Sequence, residues 1–106
     1  MQTEEFKQWL AARNLAENSI DTRMSAVRRI ERVLPQLGVP YADLDVAFDN
    51  DSLQSTRAAL QKLKADAERG GQQYRVLLPD SEAPIPRLEN FIAWLGNYHS
   101  FKEAPA

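Results

Sequence analysis

Cysteine is absent from the 106-residue chain, which excludes disulfide bonds and thiolate metal ligands. Histidine occurs once, at position 99, and a single histidine supplies neither a metal-binding cluster nor a nucleophile–base pair. Glycine occurs four times, and Gly70-Gly71 is typical of a helix stop rather than of a phosphate-binding loop. We therefore expect no catalytic residue, no bound metal and no cofactor, and we do not expect an enzyme.

Long apolar runs are also missing. No stretch is long enough for a signal peptide or a membrane-spanning helix, so we expect no membrane partner. A hydrophobic content of 43% and a charged content of 26% are typical of a soluble globular domain, and the lack of cysteine fits a cytoplasmic one. We expect a single helical domain at residues 1–103 and the start of a linker at 104–106, and we interpret the chain as part of a larger protein.

Apolar residues recur at helical spacing in four segments, and no segment shows the alternation of a β-strand. The clearest stripe belongs to the second segment and consists of Ile20, Met24, Val27, Ile30, Leu34 and Leu37. We predict an all-α protein, a bundle of four to five helices in which this segment is the central element.

Capping residues, glycines and prolines predict where the helices begin and end. The expected bounds are Thr3 as N-cap to Asn14, Asn18 as N-cap to Leu34, Asp51 or Ser52 to Gly70, and Pro86 onward. The sequence QQYRVLLP predicts a further short helix. Residues 39–51 are acidic, and we expect them to form a connection with room for a short helical turn.

Arginines cluster on the second helix although the net charge of the chain is −2. At 100° per residue, Arg28, Arg29 and Arg32 lie opposite the apolar stripe, beside Ser25, Thr22 and Gln36. Such a face suits DNA, because arginines bind phosphates or guanine edges and hydroxyl and amide groups add neutral donors. The alternative is a solvated helix face in which Arg28 pairs with Glu31.

Four short motifs carry a resemblance to a known family: FKQWL, LAENSI, RMSAVRRIERVL and RLENFIAWLGNYHSF. They resemble the N-terminal core-binding domain of tyrosine recombinases (phage integrases), a SAM-like helical bundle. Residues 6–34 carry the closest match. Ala16 departs from the family pattern, which usually has a capping serine there, and Arg23 stands where tyrosine is common.

The resemblance implies a SAM-like fold and duplex DNA as a partner. Related helical domains also precede nucleases, so DNA binding is implied more firmly than recombination. The catalytic residues of the family belong to a separate domain that would follow this one. The resulting hypothesis is a non-catalytic DNA-binding module of a larger bacterial or phage DNA-processing protein, either integrase-like or linked to a nuclease.

Two further groups of residues are candidates. Arg57 and Lys64 flank the stripe of the third helix and would extend the DNA-binding surface, although solubility is the simpler explanation of their charge. Trp94 and Phe101 lie on one flank of the last helix. They support a different hypothesis, a protein–protein interaction domain that forms a homo-oligomer or contacts a neighbouring domain through these rings.

Overall fold

The computed structural model describes residues 1–104, which form five α-helices and one 3₁₀ helix. The α-helices are α1 (Thr3–Ala11), α2 (Glu17–Arg32), α3 (Leu44–Asp51), α4 (Gln54–Glu68) and α5 (Pro84–Glu103), and the 3₁₀ helix is Gln73–Val76. No strand occurs in this part of the chain. The prediction of an all-α bundle is confirmed. The predicted linker, apart from Ala104, lies outside the described residues.

One apolar core joins all five α-helices. The stripe predicted on α2 supplies Ile20, Met24, Val27, Ile30 and Leu34 to it, while Leu37 is half-buried against its edge. The longest helix, α5, packs against α4, α2 and α1, so it rather than α2 is the central element. Among residues 1–104, no helix has the length and apolarity needed to cross a membrane.

Several helix ends differ from the prediction by a few residues. Thr3 is the first helical residue rather than the N-cap, and α2 begins after Ala16 instead of at Asn18. Neither of these helices has a side-chain cap. The second helix also ends at Arg32, one turn before Pro35 removes a backbone N–H donor.

The acidic stretch contains a complete helix rather than a connection. Asp43 is its N-cap and accepts a hydrogen bond from the Val46 N–H at 2.8 Å. Leu44 and Ala47 anchor this helix, α3, in the core. Two consecutive left-handed residues, Ser52 (φ 57°) and Leu53 (φ 66°), then turn the chain directly into α4.

Candidate nucleic-acid interface

The three arginines predicted to bind DNA are all exposed on α2. Within the described residues, no carboxylate lies within 4.0 Å of a guanidinium nitrogen of Arg28, Arg29 or Arg32. Ser25 is exposed on the same helix, one turn before Arg29. The exposed side of α2 therefore carries three cationic groups that no ion pair neutralises.

Glu31, the carboxylate expected to pair with Arg28, is used elsewhere. Its Oε2 atom lies 2.7 Å from the Met1 amine and accepts a hydrogen bond from the Leu44 N–H at 3.0 Å. The side chain thus links α2 to the chain ahead of α1 and to the start of α3. The structure therefore does not contain the Arg28–Glu31 ion pair of the alternative interpretation.

Three other predicted members of the surface, Gln36, Arg57 and Lys64, line other cavities or form an ion pair elsewhere. Gln36 lies beyond the end of α2 and lines a cavity with α4 and the 3₁₀ helix. Lys64 forms an ion pair with Glu89, whose Oε1 atom is 3.5 Å away. Arg57 is exposed and lines a cavity with Gly96 and His99.

The position of α5 explains this separation. Its residues Arg87, Phe91 and Trp94 line a cavity shared with α2, whereas Gly96, His99 and Ser100 line one shared with the start of α4. At 100° per residue these two sets lie on nearly opposite sides of the helix. The helix α5 therefore separates Arg57 and Lys64 from the arginines of α2.

The cavity between α2 and α5 is an open groove of about 420 Å³, which we call the α2–α5 groove. The second helix contributes Asp21, Thr22, Ser25 and Arg29 to its wall, and α5 contributes Arg87, Phe91 and Trp94. A smaller cavity of about 230 Å³ continues from Arg29 and Arg87 toward residues 78–81. Its volume places the α2–α5 groove within the usual range of ligand pockets, about 300–1,000 Å³.

Sequence reasoning missed Arg87. It is exposed, its guanidinium carbon lies 5.9 Å from the centre of the Phe91 ring, and no carboxylate of the described residues pairs with it. Fifty-eight residues separate it from Arg29, so only the packing of α2 on α5 brings the two together. Arg87 extends the cationic surface from one helix to two.

Arg23, the fourth arginine of α2, contacts α5 instead of lying on the exposed face. Its Nη1 atom donates a hydrogen bond of 2.9 Å to Oδ1 of Asn97, and its guanidinium carbon lies 5.9 Å from the centre of the Trp94 ring. Because Arg23 lies with Asn97 while Arg29 lies with Arg87, α2 and α5 run in opposite directions along the groove.

Trp94 and Phe101 are both half-buried, in different surroundings. Phe101 packs against Phe6, with ring centroids 5.4 Å apart, and against Trp9 at 6.1 Å. Trp94 packs against Phe91 at 5.8 Å and lines the α2–α5 groove. Val46 is the only exposed large apolar side chain in residues 1–104, so the aromatic flank contains no broad exposed apolar patch.

The acidic stretch contributes to a partly buried polar network at the other end of α5. The Tyr98 hydroxyl accepts the Gln2 N–H at 2.8 Å and donates to Oδ1 of Asp45 at 2.6 Å. Lys102 Nζ lies 3.2 Å from the same oxygen, and the Met1 amine lies 3.7 Å from Oδ2. The charge of Asp45 is thus balanced within the protein.

Tyr98 and Asp45, two titratable groups of this network, have shifted pKa values. Burial raises the pKa of Tyr98 far above its ordinary value, and its hydrogen bond to the carboxylate raises it further. For Asp45, burial alone would raise the pKa. Hydrogen bonds from Tyr98 and Lys102, with the charges of Lys102 and the amine, lower the pKa overall. The network therefore stabilises the ionised form of Asp45.

Metal ligands are not grouped in the described part of the chain: residues 1–104 contain no cluster of three or more histidine, cysteine, aspartate or glutamate side chains that could hold an ion. Comparison with known proteins gives no match to a family model, a curated protein or a solved structure. The candidate site therefore depends on geometry and charge alone.

Proposed function

We propose that this chain is a non-catalytic DNA-binding module that binds duplex DNA through the exposed arginines of α2. The observation that carries the proposal is that Arg28, Arg29 and Arg32 have no carboxylate partner in the described residues while Glu31 is used elsewhere. Arginines without an internal partner are available to phosphates, which supply most of the non-specific affinity of DNA-binding proteins. Arg87 adds a fourth such group beside Arg29.

The resemblance to the core-binding domain of tyrosine recombinases supports the same assignment. On that basis the module belongs to a larger cytoplasmic DNA-processing protein of a bacterium or phage, with a catalytic domain following it. The alternative, an interaction domain built on Trp94 and Phe101, has less support, because Phe101 already packs against Phe6 and Trp9 within the chain.

The test is a titration of fluorescently labelled duplex DNA at several salt concentrations. The wild-type chain should bind with a Kd of about 10⁻⁴–10⁻⁶ M. If the three α2 arginines each neutralise one phosphate, log K should fall with log salt at a slope of about −3. Replacing all three with alanine should remove most of that slope, because the phosphate contacts are lost. The helix should stay folded, because all three side chains are exposed.

Two controls distinguish the effect of these particular arginines from the effect of positive charge in general. The triple Arg→Lys variant retains the charge and should keep most of the salt slope while losing bidentate contacts. Lys7→Ala removes one positive charge from an exposed position on α1 and should leave the slope unchanged. Equal affinity of the wild type and the triple alanine variant would reject the proposal. Self-association in sedimentation, without DNA binding, would favour the interaction domain.

A further inference from the structure

The α2–α5 groove has a chemical gradient along its length. At one end are Arg29 and Arg87, which also line the neighbouring cavity. Trp94 lies two turns along α5 from Arg87, and Arg23, whose guanidinium carbon is 5.9 Å from the centre of the Trp94 ring, marks the same level on α2. The groove therefore has two guanidinium groups at one end and an indole ring further along.

Of the other polar groups on the α2 wall, Ser25 lies between these ends, and Thr22 and Asp21 lie just beyond the level of Arg23. Ser25 lies one turn, about 6 Å, from Arg29 along α2, and its hydroxyl makes no hydrogen bond to another described residue. The Thr22 hydroxyl donates to the Asn18 carbonyl, which leaves its oxygen free to accept. Asp21 is the one carboxylate of the wall, so the two arginines leave it with a net positive charge.

We infer that the α2–α5 groove holds one unpaired nucleotide of a DNA strand, with its phosphate at Arg29 and Arg87 and its base against Trp94. The inference rests on the proposed DNA binding and names the form of DNA that the site prefers. Arginines bind phosphate through a planar fork of donors, and half-buried aromatic rings stack on bases of any sequence. Ser25 and Asp21 can hydrogen-bond the edge of the base.

Duplex DNA satisfies only part of this groove. Its phosphates can reach arginines on the exposed face, but its paired bases are stacked inside the helix and cannot meet Trp94. A single strand presents a phosphate and an unpaired base within one nucleotide, joined through its deoxyribose. The module should therefore bind strand ends, gaps or displaced strands more tightly than intact duplex of the same length.

The first measurement uses Trp94 as the reporter. The chain has two tryptophans, so Trp9→Phe leaves Trp94 as the sole one. Titration of this variant with an oligothymidylate of about eight nucleotides should quench the Trp94 emission, whereas a hairpin duplex of equal charge should bind without quenching. Binding of the oligothymidylate with unchanged emission would overturn the inference, and no substitution at Trp94 is needed to see it.

The second measurement compares affinities by fluorescence anisotropy of labelled DNA. Trp94→Leu should weaken oligothymidylate binding by about 5- to 140-fold, the usual loss of one stacked base, and leave the duplex Kd unchanged. Trp94→Phe retains an aromatic face and should lose less. Trp9→Leu is the matched control, because Trp9 is also half-buried beside an arginine, Arg13 at 3.6 Å, but lies outside the groove.

The outcomes separate the inference from the proposed function. The inference alone is overturned if duplex binding depends on the α2 arginines but oligothymidylate binding neither quenches Trp94 nor weakens when Trp94 is replaced. The proposed function alone is overturned if oligothymidylate quenches Trp94 but the triple alanine variant binds duplex as tightly as the wild type. Thymidine monophosphate that quenches as strongly as the oligothymidylate at equal concentration would overturn the assignment to a DNA strand.

Discussion

Replacing Tyr98 with phenylalanine removes a single oxygen atom from the junction of α5, α3 and the N-terminal residues. The ring itself is fully buried and would stay in place, so no cavity of consequence forms. Two hydrogen bonds disappear: the one donated to Asp45 and the one accepted from the Gln2 N–H. The substitution therefore tests the polar network without disturbing the core.

The expected loss follows from these two bonds. A hydrogen bond to a charged group contributes about 1.5–3 kcal/mol, and one between neutral groups about 0.5–1.5 kcal/mol. Asp45 keeps Lys102 as a partner and its side chain is 28% exposed, which places the first bond in the lower part of its range. We expect Tyr98→Phe to lower the free energy of unfolding by about 2–3 kcal/mol, and Tm by about 8–12 °C.

Urea denaturation followed by helical ellipticity measures this loss. Tyr74→Phe is the control, because Tyr74 is half-buried and its hydroxyl makes no hydrogen bond within residues 1–104, so its effect should stay within about 0.5 kcal/mol. A cycle with Asp45→Asn should show a coupling of about 0.5–3 kcal/mol. Additive effects, or a Tyr98→Phe loss no larger than that of Tyr74→Phe, would refute the reasoning.

The same network gives the expected pH dependence. The folded state lowers the pKa of Asp45, so its contribution to stability is complete above the unfolded value of about 3.9. That contribution is lost as the pH falls through the lower folded pKa. The stability difference between the wild type and Asp45→Asn should therefore shrink below about pH 4. A difference that grew on acidification would contradict the assigned direction.

Three other substitutions test the packing and the backbone conformation. Ile30→Ala, at a fully buried position of α2, should cost about 2–5 kcal/mol in thermal or urea unfolding, and an unchanged stability would argue against this core. Gly38 has φ +77° and Gly96 lies inside α5, and an added Cβ at either meets no atom within 4 Å. Gly38→Ala should therefore destabilise the protein by about 1–2 kcal/mol, because alanine is strained at positive φ. Gly96→Ala should stabilise it by about 0.5–1 kcal/mol, because alanine is favoured inside a helix. Shifts of Tm in the same direction for both variants would contradict this reasoning.

The sequence was most informative about features that depend on the periodicity of a single helix. The stripe from Ile20 to Leu34 needs only helical periodicity to be recognised, and its residues are buried as predicted. The same periodicity placed the α2 arginines on an exposed face. The helix α3 escaped detection because only Leu44 and Ala47 are buried in it and its aspartates resemble those of a loop.

Features formed by distant segments could not be predicted in this way. The α2–α5 groove requires Arg29 and Arg87 to meet, and the Tyr98 network joins residues 53 and 96 positions apart. Neither arrangement leaves a spacing signal in the chain, because tertiary packing alone sets these distances. Glu31 shows the same limit, since helical spacing predicted Arg28 as its partner and packing supplied the Met1 amine and Leu44 instead.

The place of the arginines along α2 affects how they can hold an anion. Arg29 and Arg32 lie in the last turn, where the aligned peptide dipoles leave a partial negative charge on the final carbonyl groups. That partial charge stabilises the cations in the free protein and repels an approaching phosphate. In the proposed complex the phosphate would therefore contact the tips of long side chains, whereas an anion at a helix N-terminus contacts backbone N–H groups. Contacts of this kind tolerate shifts of the bound strand, which suits a module that follows a DNA backbone more than one that selects a base sequence.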